Sequence, residues 1–411
     1  LGVTAMTHEI HHAAWLCASA RRAVPGCVTM VGGPHTTALP ERTLREFSGI
    51  DVAVCGEGEC TARELAAAVS GSTHRSDWCR IAGIAFRDGD DIIVNPRRPA
   101  LTDLDVLPFP AWELFPHDVR WPLYAGRGCP FRCAFCQRVL GNRIRLRSVD
   151  NVLAEIDELE DRTGARSSWF QDETFGIDRS WTNDFLKRLI TRNERRGFVW
   201  RWKANSRANL ADVDLYRRMR RAGCRTLDFG IESGCPATLK HIHKNITLDQ
   251  ARRAVRAART ADIVTNAFFI IGHPNETWET ALRTVRFAPR LGADDVAVGV
   301  MVPYPGTEVW RLARCGQCGY RLLSEDWRLY DKYFGHALEL RDLSHRQLEL
   351  LQVLTYVSFY VGTGRLRELA SFILSYRRQA VHMLKRLVPV LPARPRHRAR
   401  RGGHACPQPA A

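Results

Sequence analysis

Six short apolar segments recur between residues 121 and 302, and stretches of helical length separate most of them. The apolar segments lie near 122–126, 167–172, 199–204, 225–231, 263–271 and 295–302. The amphipathic stretches cover 149–163, 180–196, 210–222, 247–261 and 276–291. Strands that alternate with helices form parallel sheets, because each helix returns the chain to the same edge. The pattern predicts an open or partial βα barrel over residues 121–320, with its chemistry at the C-terminal ends of the strands.

A shorter run of the same kind fills the first hundred residues. Short apolar segments predict strands at Gly2–Met6, Val28–Val31, Asp51–Val54 and Ile81–Phe86, with helices over 8–23, 41–48 and 58–70. This alternation predicts a parallel α/β domain over residues 1–95. A Pro-rich stretch then predicts a linker over 96–120. Because Leu1 stands at the start of an apolar run, we expect that this domain lacks its N-terminal part.

The end of the chain is its most basic part. The net charge is +16, and residues 361–411 hold eleven Lys or Arg against one acid, Glu368. We predict a mostly helical region over 321–390 and a disordered basic tail over 391–411. A solvated tail would explain this charge, while an anionic membrane surface or nucleic acid are the more specific alternatives.

Residues 365–388 place apolar side chains near one face of a predicted helix and basic side chains elsewhere. Such a helix can lie on a membrane surface, or it can pack on its own domain. We expect that the protein does not bind nucleic acid. Peripheral membrane contact through this helix stays an alternative. No apolar run reaches about 18 residues, so we predict no transmembrane helix.

Thirteen cysteines are many for a chain of 411 residues, and the number is odd. No apolar segment of the signal-peptide kind is visible before the first domain. Reduced thiols or metal ligation are therefore favoured over a disulfide framework, and we expect a cytoplasmic protein.

Three of these cysteines stand within eight residues, in Gly126-Arg-Gly-Cys129-Pro-Phe-Arg-Cys133-Ala-Phe-Cys136. Thiolates at this C-x3-C-x2-C spacing can wrap one iron–sulfur cluster, because such clusters bind cysteine sulfur. In a four-iron cluster, three ligands leave one iron open. A zinc site is the alternative, but zinc needs a fourth ligand nearby, and residues 137–170 contain neither Cys nor His. We predict Cys129, Cys133 and Cys136 as cluster ligands.

The motif resembles the signature of the radical S-adenosylmethionine (SAM) superfamily, in which an aromatic residue, here Phe135, precedes the last cysteine. The resemblance implies a partial (β/α)6 radical SAM barrel, with Phe135 beside SAM. It also implies that SAM chelates the open iron of a [4Fe-4S] cluster through its amino and carboxylate groups. One electron then cleaves SAM to methionine and a 5′-deoxyadenosyl radical, so we expect a one-electron reductant such as flavodoxin or ferredoxin as a partner.

Polar motifs at the ends of later strands support the same resemblance. Asp172 and Glu173 follow the second strand, where an acidic residue receives the SAM amino group in similar proteins. Arg207 ends the third strand and can pair with a carboxylate. Glu232 and Ser233 end the fourth, at a turn that similar proteins place near the ribose and methionine end of SAM. Capping or surface exposure would explain each residue singly, so their serial order after the cysteines carries this prediction.

Two glycine-rich turns follow strands of the first domain, in Val31-Gly32-Gly33-Pro34-His35 and Cys55-Gly-Glu57-Gly58-Glu59. Tight turns of any doubly wound domain would explain them, and no G-x-G-x-x-G indicates a Rossmann nucleotide site. With the linker into the cysteine motif, they resemble the cobalamin-binding domain of the cobalamin-dependent radical SAM subfamily. The resemblance implies a partial Rossmann-like (flavodoxin-like) domain that binds cobalamin beside Thr4, Gly32, Gly33, Pro34, Glu57 and Gly58.

Many cobalamin domains carry D-x-H-x-x-G, whose His ligates cobalt, and this sequence has no such motif. His8, His11 and His12 lack that spacing, and we predict them as helix residues. Either the motif belongs to a segment upstream of Leu1, or the cobalt has no protein His ligand.

The resemblance implies an enzyme, and the first hypothesis is a cobalamin-dependent radical SAM methyltransferase. It would methylate an unactivated carbon of a small-molecule or lipid substrate. An anaerobic oxidative cyclase, or another rearrangement without methyl transfer, would keep both cofactors and change the product. A truncated, non-catalytic binding protein that keeps the cluster is the third hypothesis.

Overall fold

The computed structural model describes residues 1–71, 75–116, 120–333 and 335–375. The predicted tail over 391–411 and the end of the predicted amphipathic segment over 365–388 lie outside these ranges. Within them, no helix combines the length and the apolar character that crossing a bilayer requires.

The first domain is an α/β unit with a five-stranded sheet. Its strands, in sheet order, are β1 (Gly2–Thr4), β2 (Met30–Gly32), β3 (Val52–Val54), β4 (Ile84–Asp88) and β5 (Asp91–Val94). Its helices are α1 (Ile10–Ala23), α2 (Pro34–Ala38), α3 (Pro40–Glu46) and α4 (Glu59–Ser70). The first three strands pair in parallel, as the alternating pattern predicts.

The fourth strand departs from the predicted parallel rhythm. β4 runs antiparallel to β3 and forms a hairpin with β5, a strand that the pattern did not predict. The Asn95 side-chain amide donates 2.7 Å hydrogen bonds to the carbonyls of Trp78 and Ile81. These bonds tie the turn before β4 to the residue that follows β5. The chain therefore enters β4 beside the end of β5, and β4 runs opposite to β3.

The second sheet has six strands, all parallel where they pair. In chain order they are β6 (Pro122–Leu123), β9 (Ser167–Phe170), β10 (Arg201–Ser206), β11 (Cys224–Glu232), β12 (Val264–Ile271) and β13 (Asp295–Val300). Two short strands, β7 (Gly126–Arg127) and β8 (Arg145–Leu146), form an antiparallel pair between β6 and β9. The sheet order β13-β12-β11-β10-β9-β6 keeps chain order throughout. This is the parallel α/β architecture that the six apolar segments predict.

Helices connect these strands, and their ends follow local sequence signals. They are α5 (Val149–Thr163), α6 (Arg179–Arg196), α7 (Val213–Arg221), α8 (Pro236–His241), α9 (Leu248–Thr260), α10 (Trp278–Leu291) and α11 (Glu308–Arg314). The Ser148 hydroxyl accepts from the Asn151 N–H at the start of α5, and Gly164 ends it at a φ of 70°. A polar N-cap and a left-handed Gly are the usual helix boundaries. Predicted and observed bounds of α5 therefore coincide.

The C-terminal region is only partly helical. An antiparallel pair, β14 (Tyr320–Leu322) and β15 (Leu338–Leu340), precedes α12 (His345–Gly362) and α13 (Leu366–Ser375). The prediction of a mostly helical 321–390 is thus wrong for its first part. The loop between β14 and β15 lies against the end of β13, the edge strand of the parallel sheet, where the Val300 N–H donates to the Lys332 carbonyl at 2.8 Å.

The first domain packs against this loop. Leu44 and Ile50 share one buried cluster with Val302, Trp327 and Tyr330. The Trp327 indole N–H donates to Glu46 Oε2 at 2.5 Å, and Arg42 lies 4.4 Å above the Trp327 ring centroid. The contact is apolar at its centre and polar at its rim, and it joins the first domain to the loop between β14 and β15.

Candidate active site

The three predicted cysteine ligands lie in the loop between β7 and β8, directly after the first strand of the parallel sheet. Two backbone hydrogen bonds hold the loop, from the Ala134 N–H to the Ile242 carbonyl at 3.0 Å and from the Val309 N–H to the Ala134 carbonyl at 3.1 Å. Gly128, at a φ of +88°, allows the loop to close on itself, because a Cβ there would lie 2.1 Å from the Arg143 carbonyl oxygen.

The thiols of this loop differ in exposure. Cys133 is buried, Cys129 is half-buried and Cys136 is exposed. A hydrogen bond from the Cys136 thiol lowers the pKa of Cys133 below its usual value, and the cations of Lys244 and Arg207 lower it further against the effect of burial. Thiolate is the form that binds metal. Cys133 and Cys136 also line a cavity of about 420 Å³.

Arg207 approaches the same thiol from the end of β10. The side chain is buried at 4% exposure, and its Nη1 donates to Cys133 Sγ at 3.6 Å. Its guanidinium lies 3.8 Å above the Phe131 ring centroid. Its Nε and Nη2 have no hydrogen-bond partner in the described part of the chain. A buried cation with unsatisfied donors is costly, so this arrangement fits an anionic group beside Cys133.

Asp172 lies behind the cysteine loop. Its carboxylate accepts hydrogen bonds from two backbone amides, those of Gly126 at 2.5 Å and Ala125 at 3.1 Å. Burial nevertheless raises its pKa to about 7. The neighbouring Glu173 is exposed and faces the Gly128 N–H. Of the two predicted carboxylates, Asp172 therefore ties the loop to β9, and Glu173 is the exposed one.

Glu232 and Lys244 form a buried ion pair at the end of β11. Glu232 Oε1 lies 2.8 Å from Lys244 Nζ, and the two side chains are 8% and 9% exposed. Glu232 has a φ of 70°, where the register between β11 and β12 shifts by a residue. A Cβ on Gly230 would lie 2.4 Å from Glu232 Oε1, so only glycine leaves room for this pair.

Ser233 follows Glu232 but faces the interior. Its hydroxyl is fully buried, lies 3.2 Å from the Thr284 hydroxyl and accepts from the Cys235 N–H at 3.1 Å. These contacts give the hydroxyl partners within the fold, so the structure places Ser233 in packing rather than at the open edge. The bulge at Glu232 changes which face the next side chain occupies.

A cavity of about 210 Å³ opens at the ends of β12 and β13. Its lining includes Phe135, Glu232, Met301, Tyr304 and Tyr333. Phe135 also lies 6.3 Å from the buried His273 ring and 6.0 Å from Lys244 Nζ, measured to ring centroids. The aromatic residue of the cysteine motif thus forms part of the wall between the loop and this cavity.

Glycines are frequent where the parallel strands of the first domain end. Thr4 is exposed, and Gly32, Gly33 and Pro34 are half-buried. Gly56 has a φ of +77°, and a Cβ there would meet nothing within 4 Å. An edge with few large side chains lets a large ligand approach the strands closely, so these residues fit a cofactor of the size of cobalamin.

Glu57 is placed differently from its prediction. Arg145 of β8 hydrogen-bonds to Glu57 Oε1, the Leu101 N–H donates to Oε2 at 3.1 Å, and Arg127 lies 3.7 Å from Oε2. The side chain is 7% exposed. Glu57 therefore joins the first domain to the cysteine loop, while the adjoining Gly58 is the N-cap of α4.

Two residues of this site were not found from the sequence. Lys244 stands between His243 and Asn245, which both have positive φ, and a lone Asn was its one weak turn signal. Arg145 gave no signal among the 60 basic residues of the chain. Both side chains act through partners that only the tertiary fold brings near.

The geometry defines an α/β protein with a three-cysteine loop at the strand ends, beside a domain with a glycine-rich edge. The family model described as the radical SAM superfamily matches residues 123–288, and the B12 binding domain matches residues 1–66. An uncharacterized methyltransferase of Pyrococcus horikoshii is 32% identical over 370 residues, which are 88% of this chain and 78% of that protein.

Two further similarities extend this comparison. The anaerobic magnesium-protoporphyrin IX monomethyl ester cyclase of Cereibacter sphaeroides is 30% identical over 76% of this chain, which spans only 53% of that protein. The structure of the radical SAM methyltransferase TsrM from Kitasatospora setae, with cobalamin and a [4Fe-4S] cluster bound, has a TM-score of 0.67 at 17% identity. It covers 88% of this chain and 78% of TsrM.

The chain belongs to the cobalamin-binding branch of the radical SAM superfamily. A [4Fe-4S] cluster, SAM and cobalamin are the cofactors of this class, as the sequence predicts. The three thiols, the 420 Å³ cavity and the unsatisfied donors of Arg207 fit such a cluster.

Proposed function

We propose that this protein is a methyltransferase that transfers a methyl group to an unactivated carbon. The observation that carries the proposal is the junction of its two domains, where Glu57 of the first contacts Arg145 and Arg127 beside the cysteine loop. When bound, the cluster and SAM supply a radical and cobalamin supplies the methyl group. Each of these needs a place near this junction, at the strand ends of one domain or the other.

We further propose roles for the residues around the cluster. Cys129, Cys133 and Cys136 are its ligands, and Arg207 offsets its negative charge through the donors that face Cys133. A thiolate-bound cluster is anionic, so a buried guanidinium beside it lowers the cost of burying both charges. This role leaves Arg207 without a direct part in proton transfer.

SAM would lie along the strand ends between the cysteine loop and β11. Phe135 lines the wall there, Glu173 offers an exposed carboxylate to the SAM amino group, and Glu232 is held in place by Lys244. Asp172 is assigned to positioning the loop, because two backbone amides already occupy its carboxylate. Ser233 is assigned to packing against α10.

Cobalamin would lie on the edge formed by Thr4, Gly32, Gly33, Pro34 and Gly58. We propose the domain bounds that the sequence predicts, which are 1–95 for this domain, 96–120 for the linker and 121–320 for the SAM domain. The cobalamin and SAM edges then lie in consecutive units of the chain, which the Glu57 contacts hold together.

The substrate class follows from the cavity at the ends of β12 and β13. Its walls are mainly apolar, and Glu232 and Lys332 are the charged groups among them. This lining favours a largely apolar small molecule or lipid with one or two polar groups.

The reductant would approach from the outer side of the cysteine loop. Arg132 and Arg138 line the same cavity as Cys133 and Cys136, and Glu308, 3.6 Å from His243, is the acid beside them. The net positive charge of this rim favours an acidic one-electron carrier such as flavodoxin or ferredoxin, since complementary charge speeds encounter. Replacing Arg138 by Glu should slow reduction by flavodoxin and leave reduction by dithionite unchanged.

The test of the proposed function uses the anaerobically reconstituted protein with reductant, cobalamin and methyl-labelled SAM. Methyl transfer predicts that S-adenosylhomocysteine appears together with 5′-deoxyadenosine. Deoxyadenosine alone would contradict it and favour the oxidative cyclase, the second candidate, which the 30% identity to the Cereibacter protein supports. An intact cluster with neither product would favour a non-catalytic binding protein.

A further inference from the structure

Three side chains that can bind a metal converge outside the site described above. They are His336, which lies just before β15, and His345 and Glu349 in the first turns of α12. Their ligand atoms all lie within 4.8 Å of one another. His345 and Glu349 are four residues apart, so the helix places them on one face. His336 reaches the same point from the loop.

The ring of His345 is oriented by the backbone. Its Nδ1 lies 3.2 Å from the Leu338 carbonyl oxygen, and its Nε2 lies 3.4 Å from Glu349 Oε1. A carbonyl accepts only from a protonated nitrogen, so in this tautomer Nδ1 carries the proton and Nε2 presents its lone pair, and His336 Nδ1 contacts that Nε2 directly. Histidine ligands of metals are commonly fixed in this way by a hydrogen bond from the other nitrogen.

Burial and geometry point the same way. Glu349 is 8% exposed and His345 is 12% exposed, while His336 is 28% exposed. Glu349 Oε1 lies 3.7 Å from His336 Nδ1 and 3.4 Å from His345 Nε2, so the carboxylate and both imidazoles face one point. The more open side at His336 leaves room for water as a further ligand.

We propose that His336 Nδ1, His345 Nε2 and Glu349 Oε1 bind one divalent transition metal ion, with Zn²⁺ as the best match. Two imidazoles and one carboxylate are a common zinc ligand set, whereas Ca²⁺ and Mg²⁺ prefer oxygen ligands throughout. This site is separate from the iron–sulfur cluster, and it does not depend on the proposed methyl transfer.

The position of the site indicates what the ion would do. His336 follows Lys332 and Tyr333 closely in the chain, and these two residues line the cavity at the ends of β12 and β13. The Lys332 carbonyl is bound to the Val300 N–H at 2.8 Å. An ion that links His336 to α12 would hold the loop between β14 and β15 at a second point, after its contact at Lys332. The metal would therefore hold one wall of the substrate cavity in place.

The experiment measures zinc in the whole 411-residue chain. Cys133 and Cys136 are first replaced by Ala, so that no zinc binds to the cluster cysteines. The proposal predicts one zinc per chain in this background. It predicts roughly tenfold or greater weakening of zinc binding in His345→Ala and in the nearly isosteric Glu349→Gln, measured by competition with a chromophoric chelator. His12→Ala, which changes an exposed histidine on α1, is the matched control and should bind zinc normally.

A second measurement reports on the loop. Hydrogen exchange of residues 330–333 and 335–337 should slow when zinc is added to the background protein, and it should not change in His345→Ala or Glu349→Gln. Zinc binding of the same strength in both variants and in the His12 control would overturn the proposal. Equal exchange with and without zinc would overturn the assigned role of the ion.

Discussion

Lys244 Nζ and Glu232 Oε1 lie 2.8 Å apart in a nearly buried ion pair, at the point where β11 ends beside the cysteine loop. Breaking a buried pair leaves one charge uncompensated and costs about 3–5 kcal/mol. Replacing both partners removes both charges and costs much less. The pair is therefore a sensitive probe of how the site is built.

We predict that Lys244→Met destabilises the unreconstituted chain by about 3 kcal/mol, and that Glu232→Gln/Lys244→Met restores most of this loss. Denaturant unfolding of the two single variants and the double variant gives the coupling free energy. If Lys244→Met unfolds at the wild-type denaturant concentration, the pair is not buried as described.

The closure of the cysteine loop depends on Gly128. Gly128 and Gly141 both have positive φ, 88° and 94°, but only at Gly128 would a Cβ strike the backbone. Gly141→Ala therefore pays the conformational cost alone, on the order of 1 kcal/mol. Gly128→Ala adds the collision and should lose most of the iron bound after anaerobic reconstitution. Equal iron content in the two variants would show that the loop closes otherwise.

The contact between the two domains depends on Glu57. Glu57→Gln removes the charge that faces Arg145 and Arg127, and we expect a loss of about 3 kcal/mol and faster proteolysis within residues 96–116. Glu41→Gln is the control, because its pair with Arg45 is exposed and contributes only a few tenths of a kcal/mol. Unchanged proteolysis of the Glu57 variant would argue against this contact.

Stability should depend on pH through Glu276. Burial raises the pKa of this carboxyl from 4.5 to about 7, although the amides of Gly272 and His273 donate to its Oε2. The folded state therefore holds the proton more tightly, so this contribution is full below pH 4.5 and is lost as the pH rises through 7.

Glu276→Gln keeps a carbonyl oxygen for the two amides and cannot ionise. We predict that the variant matches the wild type near pH 4.5 and exceeds its stability at pH 8 by about 2–3 kcal/mol. Unfolding free energies at several pH values test this. Parallel pH profiles for the two proteins would mean that Glu276 titrates normally.

The sequence predicted those features that depend on local signals. The bounds of α5 follow from Ser148 and Gly164, and the six strands of the parallel sheet follow from their apolar runs. The direction of β4 could not be predicted, because Asn95 fixes the preceding turn from the far side of the hairpin. Tertiary contacts of this kind do not change the hydrophobic periodicity of the sequence, so the periodicity does not reveal them.

The cysteines of the site could be predicted from the sequence, but the contacts of the side chains around them could not. The spacing of Cys129, Cys133 and Cys136 is visible in the sequence, but Glu57 has the same sequence context whether it faces a ligand or Arg145. Ser233 lies next to Glu232, and a one-residue bulge decides that it faces inward. Side-chain direction at strand ends is set by such irregularities, which a motif does not reveal.

The central claim is that the cysteine loop holds a cluster that cleaves SAM. Its most direct test is the amount of 5′-deoxyadenosine released from SAM by the anaerobically reconstituted, reduced protein. We predict release by the wild type and by Cys79→Ala, which changes an exposed cysteine elsewhere, and none by Cys133→Ala. Undiminished release by Cys133→Ala, or none by a wild type that carries its iron, would contradict the account.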